Sequence, residues 1–190
     1  MKRLYASQID LLVGLETDYI TTIDLDGLEA LLDEHGERIE YVMGGMHHVG
    51  EIPIDFDKMT WEKAVTAVEN SSMAMATSKD EVMEIVGQSS AVTSFFIAYF
   101  DAQYTLLTRI QPTIVAHIDL CRLYVPSIRL DDDATYPGVW ERLERNIKTV
   151  VEYGGLFEVS SAPFRKGWET GYPGEEVLQV GTSLSFVFSL

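Results

Sequence analysis

The sequence predicts an α/β fold in which a mostly parallel sheet is covered by helices. Short apolar runs alternate with helical patterns along the chain, in the order strand, helix, strand, helices, strand, helix, strand, helix. This alternation is typical of right-handed crossovers between parallel strands. Three of the apolar runs also end close to Glu16, His47 and His117. Because α/β barrels carry their chemistry at the C-terminal ends of their strands, we expect these three side chains to converge.

The N-terminal part of the chain predicts two strands and two helices. Residues 9–15 and 39–46 are apolar runs, which predict buried parallel strands. Between them, leucines at helical spacing predict a helix over residues 24–35, which ends before Gly36. A second helix is expected over residues 60–70, with its threonine as the N-cap.

The middle of the chain predicts one long helix and one strand. Ser78 and Glu81 have the spacing of a capping box. The helical pattern that follows carries an aromatic stripe, which is typical of core packing. Pro112 ends this helix, since the residue before a proline avoids the helical region. The β-branched residues over 113–116 then predict a buried strand.

The C-terminal part predicts two further helices and a strand. Residues 140–153 form an amphipathic pattern that Gly154 stops. An apolar run over residues 156–159 predicts a strand, and a helix is expected from Gly174 onward. The tail, residues 180–190, alternates apolar and small polar side chains, which is compatible with one more strand.

Composition narrows the class of protein. The chain of 190 residues suits a single domain. It has 14 basic and 30 acidic side chains, a net charge of −16, which argues against binding to nucleic acid or to an anionic membrane surface. The only cysteine, Cys121, excludes an intrachain disulfide and suits a reducing compartment. No leader and no apolar run of about 20 residues is present, so the cytoplasm is the expected location.

Four motifs occur in order along most of the chain: GLE at residues 14–16, MHHVGEIPIDFD at 46–57, AHIDL at 116–120, and FRKG at 164–167 followed by YP at 172–173. Together they resemble the histidinol-phosphate phosphatases of the PHP (polymerase and histidinol phosphatase) superfamily. The resemblance implies an incomplete TIM-like (βα)7 PHP barrel, with mostly parallel strands and outer helices, over residues 1–190 as a single domain.

The resemblance implies that Glu16, His47 and His117 bind metal ions. The residues themselves leave alternatives open, because Glu16 could instead pair with an arginine, and a histidine such as His117 is often a satisfied core residue. His47 and His48 are neighbours, so only one of them can face the mouth of the barrel cleanly. The family pattern assigns the metal to His47.

The resemblance also implies a site for the substrate phosphate at Arg165 and Lys166, with His48 as a further substrate contact. An arginine binds phosphate through a bidentate fork. The alternatives are a solvated basic pair and a hydrogen-bonded loop histidine. Asp119 lies two residues after His117, so its carboxylate could orient that imidazole without touching the metal ion.

Two segments typical of the family are absent from the sequence. Family members open with a strand that ends in His-x-His and close with a strand that carries Asp-x-His. We therefore expect residues 1–179 to be family-like, residues 180–190 to diverge, and the domain to be truncated at both ends. The full family site is trinuclear, and this chain is expected to hold an incomplete set of zinc, manganese or iron ions.

The expected function is metal-dependent hydrolysis of a small phosphomonoester. By resemblance, the substrate is L-histidinol phosphate, which yields L-histidinol and phosphate in histidine biosynthesis. One alternative is a catalytically defective PHP-like fragment or paralogue with at most weak metal binding. Another is a different PHP chemistry, such as that of a polymerase-associated exonuclease, which the acidic balance and the Arg-Lys loop disfavour. The oligomeric state stays open.

Overall fold

The computed structural model describes residues 5, 7–75, 91–183 and 188–189. The strands are β1 Gly14–Asp18, β2 Tyr41–Gly45, β3 His48–Val49, β4 Ile52–Pro53, β5 Ile114–Val115, β6 Leu156–Glu158 and β7 Phe188–Ser189. The α-helices are α1 Thr22–His35, α2 Lys58–Met75, α3 Ala91–Ile110, α4 Val139–Tyr153 and α5 Glu175–Ser183. Three short 3-10 helices cover Gly36–Arg38, Leu120–Arg122 and Ala162–Lys166.

Five strands form one parallel sheet in the order β1-β2-β5-β6-β7. The predicted α/β class and the mostly parallel sheet are therefore confirmed. Within the described residues, β1 and β7 are the two edges of this sheet. Closure into a PHP barrel, and the limits expected for the domain, stay predictions.

The predicted first strand is present, but the bounds expected for it, residues 9–15, and its expected burial are wrong. The strand β1 begins only at Gly14, where its parallel partner β2 begins opposite at Tyr41. The preceding apolar residues have no strand beside them in the described part of the chain, and Leu12 is 62% exposed. In the described part of the chain, β1 pairs only with β2, so the start of β2 decides where β1 begins. The apolar run alone did not show this.

Asp57, and not Thr60, is the N-cap of helix α2. Its Oδ1 accepts a hydrogen bond of 2.7 Å from the backbone N–H of Thr60, which occupies the third position of the helix. This bond holds the pKa of Asp57 below its usual value. The predicted helix exists, but it begins two residues earlier than expected and continues to Met75.

A two-residue hairpin between β3 and β4 was not predicted. Gly50 and Glu51 both have positive φ, +56° and +67°, as the central residues of a type I′ turn do. His48 pairs with Pro53 across this hairpin. The turn therefore fixes the direction of the chain just after His47, beside the C-terminal end of β2.

The predicted elements of the C-terminal half are largely confirmed. The helix before Pro112 ends at Ile110, and strand β5 follows it. Helix α4 ends at Gly154, whose φ of +80° suits a glycine C-cap. The tail contains the expected strand as β7, but helix α5 continues to Ser183 before it, so the strand is shorter than residues 180–190. The capping box of Ser78 and Glu81 lies outside the described residues.

Helix α3 carries the centre of the core, and its buried face includes the predicted aromatic stripe: Phe95, Phe96, Tyr99 and Phe100. Two buried side-chain amides, those of Gln103 and Asn146, form hydrogen bonds that fix how α3 packs against its neighbours. Gln103 donates to the carbonyl of Ile118 (3.1 Å) and accepts from Asn146 of α4 (3.1 Å). The two bonds connect α3 to α4 and to the segment just after β5. In the described part of the chain, no helix combines the length and apolar character that a membrane span needs.

Substitution Gln103→Leu is expected to destabilise the protein by about 1 to 3 kcal/mol, because it leaves the buried Ile118 carbonyl and the Asn146 amide without this partner. Urea denaturation measures the change in the free energy of unfolding. The matched control is Gln8→Leu at an exposed position, which should change stability by less than about 0.5 kcal/mol. Equal effects of the two substitutions would contradict the role given to Gln103.

Candidate metal centre

The three predicted metal ligands converge at one end of the sheet. His47 lies two residues after β2, His117 lies two residues after β5, and Glu16 lies in β1. Their ligand atoms all fall within 4.8 Å of one another. The two Nε2 atoms are 3.1 Å apart, and His47 Nε2 is 4.0 Å from Glu16 Oε1. The expected convergence is therefore confirmed.

The chemistry of this donor set fits a divalent transition metal. Two imidazole nitrogens and one carboxylate are a common set for zinc, manganese and iron sites. The Glu16 side chain is 55% exposed, whereas that of His47 is 23% exposed. The cluster thus opens to solvent on the side of Glu16, and three protein ligands leave coordination positions for a substrate or water.

Gly45 allows the two imidazole rings to approach each other. A Cβ atom at this position would lie 2.8 Å from Cε1 of His47 and 3.3 Å from Cε1 of His117. The rings meet edge to face, with centroids 4.8 Å apart. Any side chain at the last residue of β2 would therefore push into both ligands.

The segment after His117 is fixed by a buried network. Asp119 is fully buried and accepts hydrogen bonds from Arg122 (2.7 Å) and from the backbone N–H of Gly174 (2.8 Å). Arg122 also pairs with the buried Glu176 of α5, at 3.1 Å. The contacts of Asp119 thus join the β5 end to the start of α5. The predicted orientation of His117 by Asp119 stays a prediction.

Asp18, at the C-terminal end of β1, was missed by the sequence reasoning. Its Oδ2 lies 2.6 Å from Nδ1 of His48, and its Oδ1 accepts the backbone N–H of His47 at 3.0 Å. One signal could have found it: Glu16 and Asp18 are two residues apart on a strand, so they point to the same face.

Glu158, at the C-terminal end of β6, was missed as well. Its Oε2 accepts the backbone N–H of His117 at 3.0 Å. His117 has a φ of +24°, a conformation that is uncommon for residues other than glycine. The only signal in the sequence was an acidic residue near the end of a predicted strand next to the histidine strand.

The electrostatics of the centre couple Asp18 to His47. Burial acts to raise the pKa of Asp18, but hydrogen bonds from His47 and His48 outweigh it and hold the pKa below the usual value. The Asp18 carboxylate, whose Oδ2 lies 3.6 Å from Nδ1 of the His47 ring, raises the pKa of His47 against the effect of burial. The charges of Asp55 and Glu16 act in the same direction. The carboxylates around His47 therefore favour a positive charge at the position of its ring.

Arg165 lies on the exposed 3-10 helix of the loop that follows β6. This loop is closed at its base by backbone pairing between Ser160 and Tyr172. The ring of Tyr172 is 6.3 Å from that of His117, so the base of the loop adjoins the metal ligands. The side chain of Lys166 lies outside the described part. The phosphate roles of both residues stay predictions.

A cavity of about 400 Å³ lies within the base of the same loop. Ser160, Phe164 and Tyr172 are among its lining residues. It shares Tyr172 with the surroundings of His117, so a molecule held there would lie near the candidate metal centre.

The fold and the cluster define an α/β protein with a candidate metal centre at the C-terminal ends of parallel strands. A protein of Schizosaccharomyces pombe named "Probable histidinol-phosphatase" is 35% identical over 180 residues, 95% of this chain and 52% of that protein. The "Histidinol-phosphatase" of Saccharomyces cerevisiae is 24% identical over 196 residues, 91% and 52% of the two chains. The chain thus spans about half the length of the curated relatives it matches.

A solved structure shares the fold. It is a Listeria monocytogenes protein described as "putative histidinol phosphatase hisK", with a TM-score of 0.68 and 19% sequence identity. The match covers 98% of this chain and 64% of that one. No protein-family model matches the chain.

Substitution Gly45→Ala is expected to weaken zinc binding at least about tenfold, because the added methyl group displaces both imidazole rings. Competition with a chromophoric chelator measures the dissociation constant, and circular dichroism checks the fold. Gly27→Ala is the matched control, since a Cβ atom there meets nothing within 4 Å. Unchanged affinity in folded Gly45→Ala would contradict the arrangement of the rings.

Proposed function

We propose that the chain is the metal-binding part of a phosphomonoester hydrolase of the PHP superfamily, and that it acts on L-histidinol phosphate. The observation that carries this proposal is the cluster of Glu16, His47 and His117 within 4.8 Å at the ends of three adjacent parallel strands. Support also comes from the two relatives named histidinol-phosphatase, which align with 95% and 91% of the chain.

The proposed reaction breaks the bond between phosphorus and the alcohol oxygen. Water supplies the new oxygen of the phosphate and, in net terms, the proton of the alcohol. When bound, a divalent metal ion supplies Lewis acidity to the phosphoryl group. Glu16, His47 and His117 would hold this ion, which the donor set allows to be zinc, manganese or iron. For this chain we propose the one metal site formed by these three residues, and not the trinuclear site of the full family.

Asp18 prepares His48 for a contact with substrate. The short contact between Asp18 and Nδ1 of His48 fixes the ring and leaves Nε2 for another partner. The same oxygen of Asp18 lies 3.6 Å from Nδ1 of His47, so both rings lie beside one carboxylate and His48 is close to the centre. This arrangement supports the substrate role proposed for His48.

Arg165 and Lys166 are proposed to bind the phosphate group. A guanidinium group can donate hydrogen bonds to two phosphoryl oxygens at once, and the exposed position of Arg165 leaves its side chain accessible. The surrounding charge is strongly negative, with a net charge of −16 for the chain. A metal ion and a basic loop are therefore needed to attract an anionic ester.

The chemistry of such an ester also bears on the location and the partners proposed for the protein. The substrate is a small polar molecule of biosynthesis, which suits an enzyme of the cytoplasm. The acidic balance continues to argue against a nucleic acid as partner. The comparisons do not favour the alternative of a catalytically defective paralogue, since both curated relatives carry the name of an enzyme.

Phosphate release from L-histidinol phosphate by the purified chain, with zinc or manganese added, tests the proposal. Substitution Glu16→Gln is expected to lower turnover about 100-fold or more, because it removes the only anionic ligand of the cluster. The matched control is Glu37→Gln, at an exposed position in the 3-10 helix after α1. Absence of metal-dependent turnover in the folded wild-type chain would contradict the proposed activity.

Substitution Arg165→Ala is expected to raise KM for histidinol phosphate about tenfold or more, since it removes a charged contact to the phosphate. Steady-state kinetics separates this effect from a change in kcat. Arg38→Ala, at an exposed position far along the chain from the loop, should leave KM unchanged. If both substitutions leave KM unchanged, Arg165 does not bind the phosphate.

A further inference from the structure

The two imidazole ligands share a backbone arrangement. The N–H of His47 donates to the carboxylate of Asp18, and the N–H of His117 donates to the carboxylate of Glu158. Both distances are 3.0 Å. Each carboxylate belongs to the last residue of a strand, and each histidine follows the end of the neighbouring strand by two residues.

The order of the strands explains why this arrangement occurs twice. The histidines follow β2 and β5, which are neighbours in the middle of the sheet. The carboxylates end β1 and β6, which flank that pair on its two sides. Asp18 and Glu158 therefore hold the two ligands from opposite directions, and the imidazole rings meet between them.

Such bonds have a specific effect on a residue that has left the sheet. Beyond the parallel sheet, the carbonyl groups of His47 and His117 accept the N–H groups of Ile54 and Leu120. The N–H groups of the two histidines donate to the two carboxylates. A side-chain oxygen that accepts such an N–H satisfies the donor and so holds the backbone in place. The bond to Glu158 is made by a residue with a φ of +24°, a conformation that persists only where the surroundings hold it.

We propose that Asp18 and Glu158 are positioning residues that fix the backbones of the two imidazole ligands and so set the metal affinity of the centre. This inference rests on the proposed metal centre. Neither carboxylate is assigned to the metal ion itself. Each acts through the histidine whose N–H it accepts, and its contribution is the position of the ring.

Glu158 gives the cleaner test, because Asp18 also contacts the His48 ring. Glu158→Ala removes the acceptor, whereas Glu158→Gln keeps a side-chain oxygen that can accept the same N–H. The dissociation constant for Co²⁺ and the visible spectrum of the Co²⁺-loaded chain report on the ligands. The chemical shift of the His117 amide proton in the metal-free chain reports on the hydrogen bond.

We expect Glu158→Ala to bind Co²⁺ about 10- to 100-fold more weakly, with the His117 amide proton shifted upfield. Glu158→Gln should stay within about threefold of the wild-type affinity. The matched control is Glu152→Ala, at an exposed position of α4, which should change neither quantity. Asp18→Ala should weaken Co²⁺ binding similarly, and it serves as the second variant if Glu158→Ala does not fold.

Three outcomes have different meanings. Wild-type affinity in both alanine variants would overturn the inference while leaving the metal centre intact. A loss in Glu158→Gln as large as that in Glu158→Ala would also overturn it, because the carboxylate would then act through its charge or as a ligand. A wild-type chain that binds no Co²⁺ would overturn the proposed metal centre itself.

Discussion

The parallel pairing of β2 with β5 is the interaction on which the candidate site depends. Met43 lies opposite Ile114, and Gly44 lies opposite Val115. This register places the ends of the two strands within one residue of each other, so that the residues following them emerge side by side. A shift by one residue would turn every side chain to the other face of the sheet. The 3.1 Å between the two Nε2 atoms is thus a consequence of strand register and of the missing side chain at Gly45.

The core keeps this end of the sheet in place through bonds to the backbone. The side chain of Gln103 donates a hydrogen bond to the carbonyl of Ile118, and the indole N–H of Trp61 donates to the carbonyl of Cys121 at 2.9 Å. Arg122 then joins Asp119 to Glu176 in the buried interior. A buried ion network of this kind adds little net stability, because desolvation offsets the attraction between its charges. Its effect is on geometry, since it fixes the chain that follows His117.

The convergence of the three candidate metal ligands could be predicted from the sequence because its signal is local. Glu16, His47 and His117 each stand at or near the end of an apolar run, and strand ends meet in a parallel sheet. Helix α1 was predicted for a similar reason, from leucines at helical spacing. The start of β1 was not, because the partner strand decides it.

The bonds that Asp18 and Glu158 make to the two histidine ligands escaped prediction because their donors are backbone N–H groups of other segments. Every residue except proline has a backbone N–H, so the residue type does not show which N–H donates to a carboxylate. Neither bond could therefore be found before the strand order was known. The hairpin around Gly50 and Glu51 was missed because the second residue adopts positive φ without being glycine or asparagine.

X-ray absorption at the zinc edge counts the ligands of the bound ion and so tests whether His47 and His117 bind it together. We expect two imidazole ligands with Zn–N distances of about 2.0 to 2.1 Å, together with oxygen ligands. Replacing His117 by alanine should reduce the imidazole count to one. A zinc ion surrounded by oxygen alone, or an imidazole count that does not change in the variant, would contradict the claim that His47 and His117 bind the metal together.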